Sequence, residues 1–426
     1  MHEVKGGVHR RDVLKGAGAM AGAAAVTAVL GTPYVARAQG RAIRIGMPTI
    51  LSGRVAILGE ASRNAVQLAI SRVNEAGGIA GRQIELIVRD SKGQPDEAAR
   101  VTRDLINTEG CEIIIDAEAS SGAFAVHEVI RELSVLCIHS NSETSALTAD
   151  PKLHVPTAFR CARQGIHDAV AGGRYAGNLA REKGLTRWMT CSPDYAYGRD
   201  NTAEFLEYLR IFEPSVEVVD QAWPRLFEPD YTAHVTRILQ VAPQAIYSAL
   251  WGGDLVAFIE QGSLYGLFGS GLEFFSGGLA DPPVAKALNQ MPEGLNSVYR
   301  YDPEYPANEG NRAFYADYVA MTGSEPTNWS WQNYTAAQFI FEALRRTGGN
   351  TDGAALAAEI KDMEIESPFS ESGKITMRGA DHTIIGYPVA WGRSRSEPRG
   401  FTDWVPGDWG EILEKEAEWK VRKGYA

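Results

Sequence analysis

The 426-residue chain carries 42 Lys and Arg against 53 Asp and Glu, a formal charge of −11 at neutral pH, and this acidity argues against nucleic acid or an anionic membrane surface as partner. Four cysteines, Cys111, Cys137, Cys161 and Cys191, are sparse, widely spaced and free of any CxxC. That leaves no spacing for a metal site and favours buried thiols over a disulfide.

The chain opens with Arg10-Arg11-Asp12-Val13-Leu14-Lys15, an uncharged run from Gly16 to Leu30, and Ala36-Arg37-Ala38 with small residues at the two cleavage-pocket positions. Residues 1–38 are expected to be a signal peptide, cut near Ala38 so that a periplasmic chain begins near Gln39. The paired arginines resemble the twin-arginine export motif, with Val13 where a Phe is usual. A membrane anchor fits less well, because ~15 small residues rich in Ala and Gly fall short of the ~20 that span a bilayer. No lipobox cysteine stands there either. Without this segment five basic and two acidic residues are lost, leaving about 388 residues at a charge of about −14, a size suited to two α/β domains.

Strand and helix alternate from there on, the pattern of a parallel sheet covered by helices. Ile43-Arg44-Ile45-Gly46 reads as the first strand, Leu51-Ser52-Gly53 as a turn, and Val66, Ala69, Ile70 and Val73 as the apolar stripe of a helix ending at Gly77-Gly78. A strand from Ile84 runs to Asp90, and Ala98, Val101 and Leu105 mark a second helix opened by Asp96. Ile113-Ile114-Ile115 is an apolar run suited to a strand buried on both faces. It breaks into Glu118-Ala119-Ser120-Ser121-Gly122, where Ser120 or Ser121 is placed to cap a helix through Ala123, Val126, Ile130 and Leu133. Val135 to Ile138 forms the next strand and empties into His139-Ser140-Asn141-Ser142-Glu143. Two polar turns at the carboxyl ends of neighbouring parallel strands outline a ligand crevice, and free amides at a helix start suit a carboxylate. Equally, the first turn is a plain cap and the second a plain loop.

After Cys161 the rhythm restarts. Helices are expected over 165–183, 199–211, 231–240 and 254–265, with strands at Arg187 to Cys191, Val216 to Asp220, Ala245 to Trp251 and Glu273 to Ser276. Residues 294–301 return as a strand, two helices span roughly 308–346, and Ile375 and the run Tyr387 to Trp391 read as closing strands. The tail beyond Gly392 has no clear period and is either docked or disordered.

Seven motifs in order carry a resemblance: LSG-x-V at 51–55, GGI-x-G-R-x-I-E-L at 77–86, D-S-K-G-Q-P at 90–95, A-S-S-G at 119–122, I-x-S-N-S-E-T-S at 138–145, D-x-A-Y-G at 194–198 and W-x-x-Y-x-A-x-x-F at 331–339. Together they resemble the leucine/isoleucine/valine-binding family, the periplasmic substrate-binding proteins of ABC importers, over nearly all of residues 42–392. The resemblance implies an α/β fold of two doubly wound lobes joined by a three-crossover hinge, the type I periplasmic binding protein architecture. It implies a monomer that closes on an amino acid or related small carboxylate or amide and delivers it to an inner-membrane ABC permease, with no cofactor and no catalytic residue. Crossovers are expected near Cys161 to Gly165, Glu293 to Tyr301 and Gly373 to Gly379. Residues 42–161 with 300–375 would form the first lobe, 162–299 with 376–392 the second, and 393–426 a C-terminal extension.

Carried over position by position, the family's carboxylate contacts fall on Ser120, Ser121 and Gly122, and those of the next turn on Asn141 and Glu143. Its second-lobe aromatics fall on Tyr197, with Tyr195 nearby, and on Trp251. Its side-chain pocket falls on Leu58, Glu118, Ala119 and Trp329. One departure stands out: the acidic residue that pairs with a ligand ammonium in amino-acid binders is replaced by Gly277-Gly278-Leu279. Either Glu143, Glu118 or Asp254 takes that role, or the ligand is an organic acid, amide or aromatic carboxylate. If Glu118 and Glu143 both face inward, a cationic or donor-rich group should lie between them; otherwise both are solvated rim residues. Competing classes are a sensor's ligand-binding domain and an exported enzyme. The second lacks any nucleotide-binding, G-x-S-x-G or H-E-x-x-H motif, and His139 and His154 look isolated in sequence.

Overall fold

A computed structural model describes residues 40–269 and 271–426; the expected signal peptide lies outside the described residues. Two parallel sheets of one design build the chain. The first is made of β1 (Ile43–Thr49), β2 (Ile84–Asp90), β3 (Ile113–Asp116), β4 (Leu136–His139) and β5 (Ala158–Arg160), in the order β2-β1-β3-β4-β5. β3 and β4 are buried along their whole length, as their continuous apolar runs require.

β6 (Arg187–Cys191), β7 (Glu217–Ala222), β8 (Ala245–Ser248), β9 (Glu273–Ser276) and β10 (Asn296–Val298) repeat the pattern as β7-β6-β8-β9-β10. In each sheet the chain winds outward in both directions from its first strand. A crevice therefore opens at the carboxyl ends of the strands beside that switch point, where open α/β sheets bind ligands.

A small antiparallel sheet of β11 (Glu364–Glu366), β12 (Lys374–Met377) and β13 (Ile384–Ile385) hangs on the first lobe, bridged from Thr383 to Arg160 of β5. The helix Asn328–Arg346 packs on Ile57–Glu75 of the same lobe. The chain then enters the second sheet as β14 (Ala390–Arg395), antiparallel to β10, and β15 (Gly400–Pro406) pairs with β14 at the edge. One expectation is corrected by this path. The third passage between lobes falls at Gly386 to Val389 rather than near Gly373 to Gly379, because the Arg160–Thr383 bridge keeps the chain beside β5 until β13. Of the two states open to the tail it takes the docked one: β15 and the helix Trp409–Lys423 pack on the second lobe, with Ile412 and Trp419 buried.

All four cysteines are buried and free. Among the described residues no helix is long and apolar enough to cross a membrane.

Candidate functional site

Four helices begin around one cavity between the two sheets. Ser120–Leu133 and Asn328–Arg346 come from the first lobe, Ala196–Phe212 and Gly252–Leu264 from the second. The cavity is lined by residues of both lobes.

The first-lobe wall is Leu58, Ala119, Ser120, Asn141 and Glu143. The turn that presents Ser120 differs from its expected form. Ala119, extended at φ −66° and ψ 158°, occupies the cap position and no side chain caps the helix. The Ser120 hydroxyl instead accepts from Ser142 Oγ at 3.3 Å. The first turn of amides therefore meets the crevice without a protein oxygen competing for it, which favours an anion there. Asn141 lines the cavity but its amide is engaged: it donates to Ser62 Oγ at 2.9 Å and the Ala117 carbonyl at 3.1 Å, and accepts from Asn333 at 2.7 Å.

From the second lobe come Tyr195, Tyr197, Trp251, Gly278 and Asp281. Tyr195 and Trp251 are the extended residues just before their helices, a position that throws a side chain off the carboxyl end of the sheet. Trp251 Nε1 donates to Tyr195 Oη at 2.8 Å. The Trp251 ring meets Trp329 edge to face, centroids 5.6 Å apart, so one aromatic from each lobe meets the other at the cavity wall.

Arg300, from the passage after β10, anchors the polar end. It donates to Glu143 Oε1 at 2.6 Å, to Tyr197 Oη at 3.2 Å and to the Gly277 carbonyl. Asn328 Nδ2 donates to the same Glu143 oxygen at 3.0 Å, and its backbone amide to Asp281 Oδ1 at 2.9 Å. Glu143 Oε2 and Asn328 Oδ1 are buried without a hydrogen-bond partner, so acceptor capacity faces the cavity. Burial pushes the Asp281 carboxyl up to about 7, against the Asn328 amide and the Arg300 charge.

Eight of the expected residues therefore line the cavity: Leu58, Ala119, Ser120, Asn141, Glu143, Tyr197, Trp251 and Trp329. Ser121, Gly122 and Glu118 do not. Glu118 turns beneath the helix start, where a Cβ on Gly122 would lie 2.7 Å from its Oε2. Burial, then Asp116, pushes its carboxyl up to about 8. The pair of inward glutamates is thus corrected: one lies under the turn and the other is neutralised by Arg300. Asp254 bonds Arg54 and the Phe227 amide and is not part of the wall. The acid expected at Gly278 is missing from that position, yet Asp281 of the same turn reaches the cavity. Arg300, Asp281 and Asn328 escaped the motif comparison; the only sequence signal for them was their place in a crossover and in turns at strand and helix ends.

His139 is not isolated, since it bonds Asp116 and His127. Both ring nitrogens are engaged inside the first lobe and neither meets Ser120. His154 stands edge-on to His382, centroids 4.8 Å apart.

Residues 42–389 match the model of the periplasmic binding protein family. The Leu/Ile/Val-binding protein homolog 4 of Brucella abortus (strain 2308) is 26% identical over 378 residues, spanning 83% of this chain and 85% of the relative. Among solved structures, a solute-binding protein of an ABC transporter from Rhodopseudomonas palustris BisB5, in complex with 3,4-dihydroxybenzoic acid, superposes with a TM-score of 0.77. It is 23% identical and covers 87% of this chain and 99% of its own. The leucine-, isoleucine-, valine-, threonine- and alanine-binding protein of Brucella ovis, in its closed conformation, gives a TM-score of 0.70 at 22% identity, covering 86% and 94%.

Proposed function

This chain belongs to the periplasmic binding protein family, and from that premise we propose that it is the substrate-binding component of an ABC importer, holding a small carboxylate between two closing lobes and handing it to an inner-membrane permease. The observation that carries the reading is the two-lobed cavity with an uncapped helix start at one end and the acceptors of Glu143, Asn328 and Asp281 at the other. A ligand suited to both ends has a carboxylate, a hydrogen-bond donor and a body that packs against Trp251 and Trp329. Amino acids and hydroxylated aromatic acids meet that description, and structures of this fold hold isoleucine in one case and 3,4-dihydroxybenzoic acid in another. The aromatic side chains of the wall favour a ring.

A melting-temperature screen against amino acids, amides and aromatic acids tests this. A ligand at ~100 times its dissociation constant adds about 2.7 kcal/mol of stability, and ring carboxylates bearing a hydroxyl or amine are expected to give the largest shifts. Stabilisation by amides alone, or conversion of a bound compound, would overturn the reading.

We place the mature protein in the periplasm, cut near Ala38, on the strength of Arg10-Arg11 and Ala36-Arg37-Ala38. Sequencing of periplasmic material should start near Gln39; a start at Met1 would refute the cleavage.

A further inference from the structure

A buried chain of hydrogen bonds ends under the turn that presents Ser120. His127 Nε2 lies 2.6 Å from the Leu153 carbonyl, His127 Nδ1 lies 2.9 Å from His139 Nε2, and His139 Nδ1 lies 2.5 Å from Asp116 Oδ2. The last contact follows from sheet register, since Asp116 and His139 are directly paired at the ends of β3 and β4.

A carbonyl only accepts, so His127 Nε2 carries a proton, and each of the other two contacts needs one more. Three shared protons leave the chain at zero net charge however they are arranged: a neutral acid with two neutral imidazoles, or a carboxylate with one imidazolium. The surroundings choose. Asp116 and His139 are fully buried, where separated charges are costly. Arg160 opposes a cation on His139, Arg131 opposes one on His127 while Glu128 favours it, and on Asp116 burial outweighs the Glu118 amide, which favours an anion. The Cys137 thiol, the remaining ionisable neighbour, is itself raised by burial. Burial likewise raises Asp116 and lowers His139, so both lean to their neutral forms.

The other oxygen of Asp116 has a different task. Oδ1 accepts from the Glu118 amide at 3.2 Å, and the Asp116 carbonyl takes the Ser140 amide at 2.8 Å and hydroxyl at 3.0 Å. Asp116 therefore ties together both turns of the first-lobe wall.

We propose that Asp116 is the positioning residue of the carboxylate subsite: un-ionised, with its proton donated to His139, it holds the Glu118 to Ser120 turn through its second oxygen without setting a negative charge beneath the helix amides. The purpose assigned to Asp116 rests on the carboxylate reading above. Its protonation does not, and is tested without any ligand.

Nitrogen NMR of 15N-histidine-labelled protein at neutral pH is expected to show His139 and His127 as neutral rings protonated at Nε2, each with an unprotonated Nδ1. Asp116→Asn should keep both tautomers and leave the backbone amide shifts of Ser120 to Gly122 nearly unmoved. An Asn fits only this direction of the chain, its NH₂ donating to His139 while its oxygen accepts from Glu118. Asp116→Leu should displace those amide shifts. An imidazolium signal from either ring, or loss of the tautomers in Asp116→Asn, would overturn the proposal even if Asp116→Leu does not fold. Failure of the carboxylate reading would appear separately, in the ligand screen.

Discussion

Arg300 binds first-lobe Glu143 to second-lobe Tyr197 and Gly277 from a single guanidinium, and both members of the ion pair are buried. Losing one partner strands the other's charge, which typically costs ~3–5 kcal/mol, whereas replacing both by apolar groups is close to neutral. Arg300→Ala is therefore expected to lower the unfolding free energy by about 3–5 kcal/mol. Arg300→Met combined with Glu143→Leu should recover most of that. Urea titration checks it, and a double variant whose loss equals the sum of the two single losses would show that the two side chains do not depend on each other. This residue also shows what the sequence withheld. Glu143 was legible as a polar residue in a turn at a strand end, because that follows from local pattern. Its partner was not, because Arg300 meets Glu143 only when two distant crossings of the chain converge.

At the scale of elements, strand–turn–helix order was legible wherever apolar period and turn residues agreed, while Trp251 and Tyr197 were carried to the cavity by the family resemblance. The helix start at Ser120 was misread by one position, since an extended Ala119 serves as well as a serine when the amides need no protein cap. Gly198 was quoted only as part of a motif. Its reason is spatial: a Cβ there would lie 1.9 Å from the Pro193 carbonyl oxygen, so only glycine lets the helix carrying Tyr197 start so close to its strand. The helix Trp409–Lys423 gave no signal beyond the family motifs, yet it straddles the lobes. Glu416 bonds Arg378 at 2.6 and 2.8 Å beside the first lobe, and pairs with His167 of the second at 3.2 Å. Lys420 reaches Asp381 at 2.7 Å, while Tyr208 Oη donates to the Lys415 carbonyl at 2.6 Å. Burial alone would raise the Glu416 carboxyl, but His167 and Arg378 hold it well below the usual carboxylate range. Glu416→Gln removes the shared partner of this network and is expected to destabilise the protein by ~3 kcal/mol. A loss under ~0.5 kcal/mol in denaturant titration would instead mark it as an ordinary surface cluster.

The whole molecule joins two repeats of one βα plan, and that repetition was readable from the rhythm restarting after Cys161. What binds the lobes to each other was not, because it consists of acids that look like solvated residues until the structure buries them. Ser145 Oγ of the first lobe donates to Glu204 Oε2 of the second at 3.0 Å, Thr144 bonds Asp200, and Asp281 accepts the Asn328 amide. Burial, then the neighbouring Asp200, pushes Glu204 up to about 8, and burial brings Asp281 to about 7. Both values lie above the ordinary 4.5 and 3.8, so the folded protein prefers the protonated forms. Their contribution is complete below those ordinary values and is lost as pH rises through 7 and 8. Glu416 acts in the opposite direction: depressed in the fold, it contributes above its ordinary value of 4.5 and is lost as pH falls below it. The melting temperature should therefore peak near pH 4 to 5 and fall from there to about pH 8, levelling off above it. Glu204→Gln, which keeps the hydrogen bond to Ser145 with no proton to lose, should flatten the alkaline limb. A melting temperature that holds or climbs between these pH values in wild-type protein would mean that the interlobe acids are already ionised, and that lobe contact does not depend on their protons.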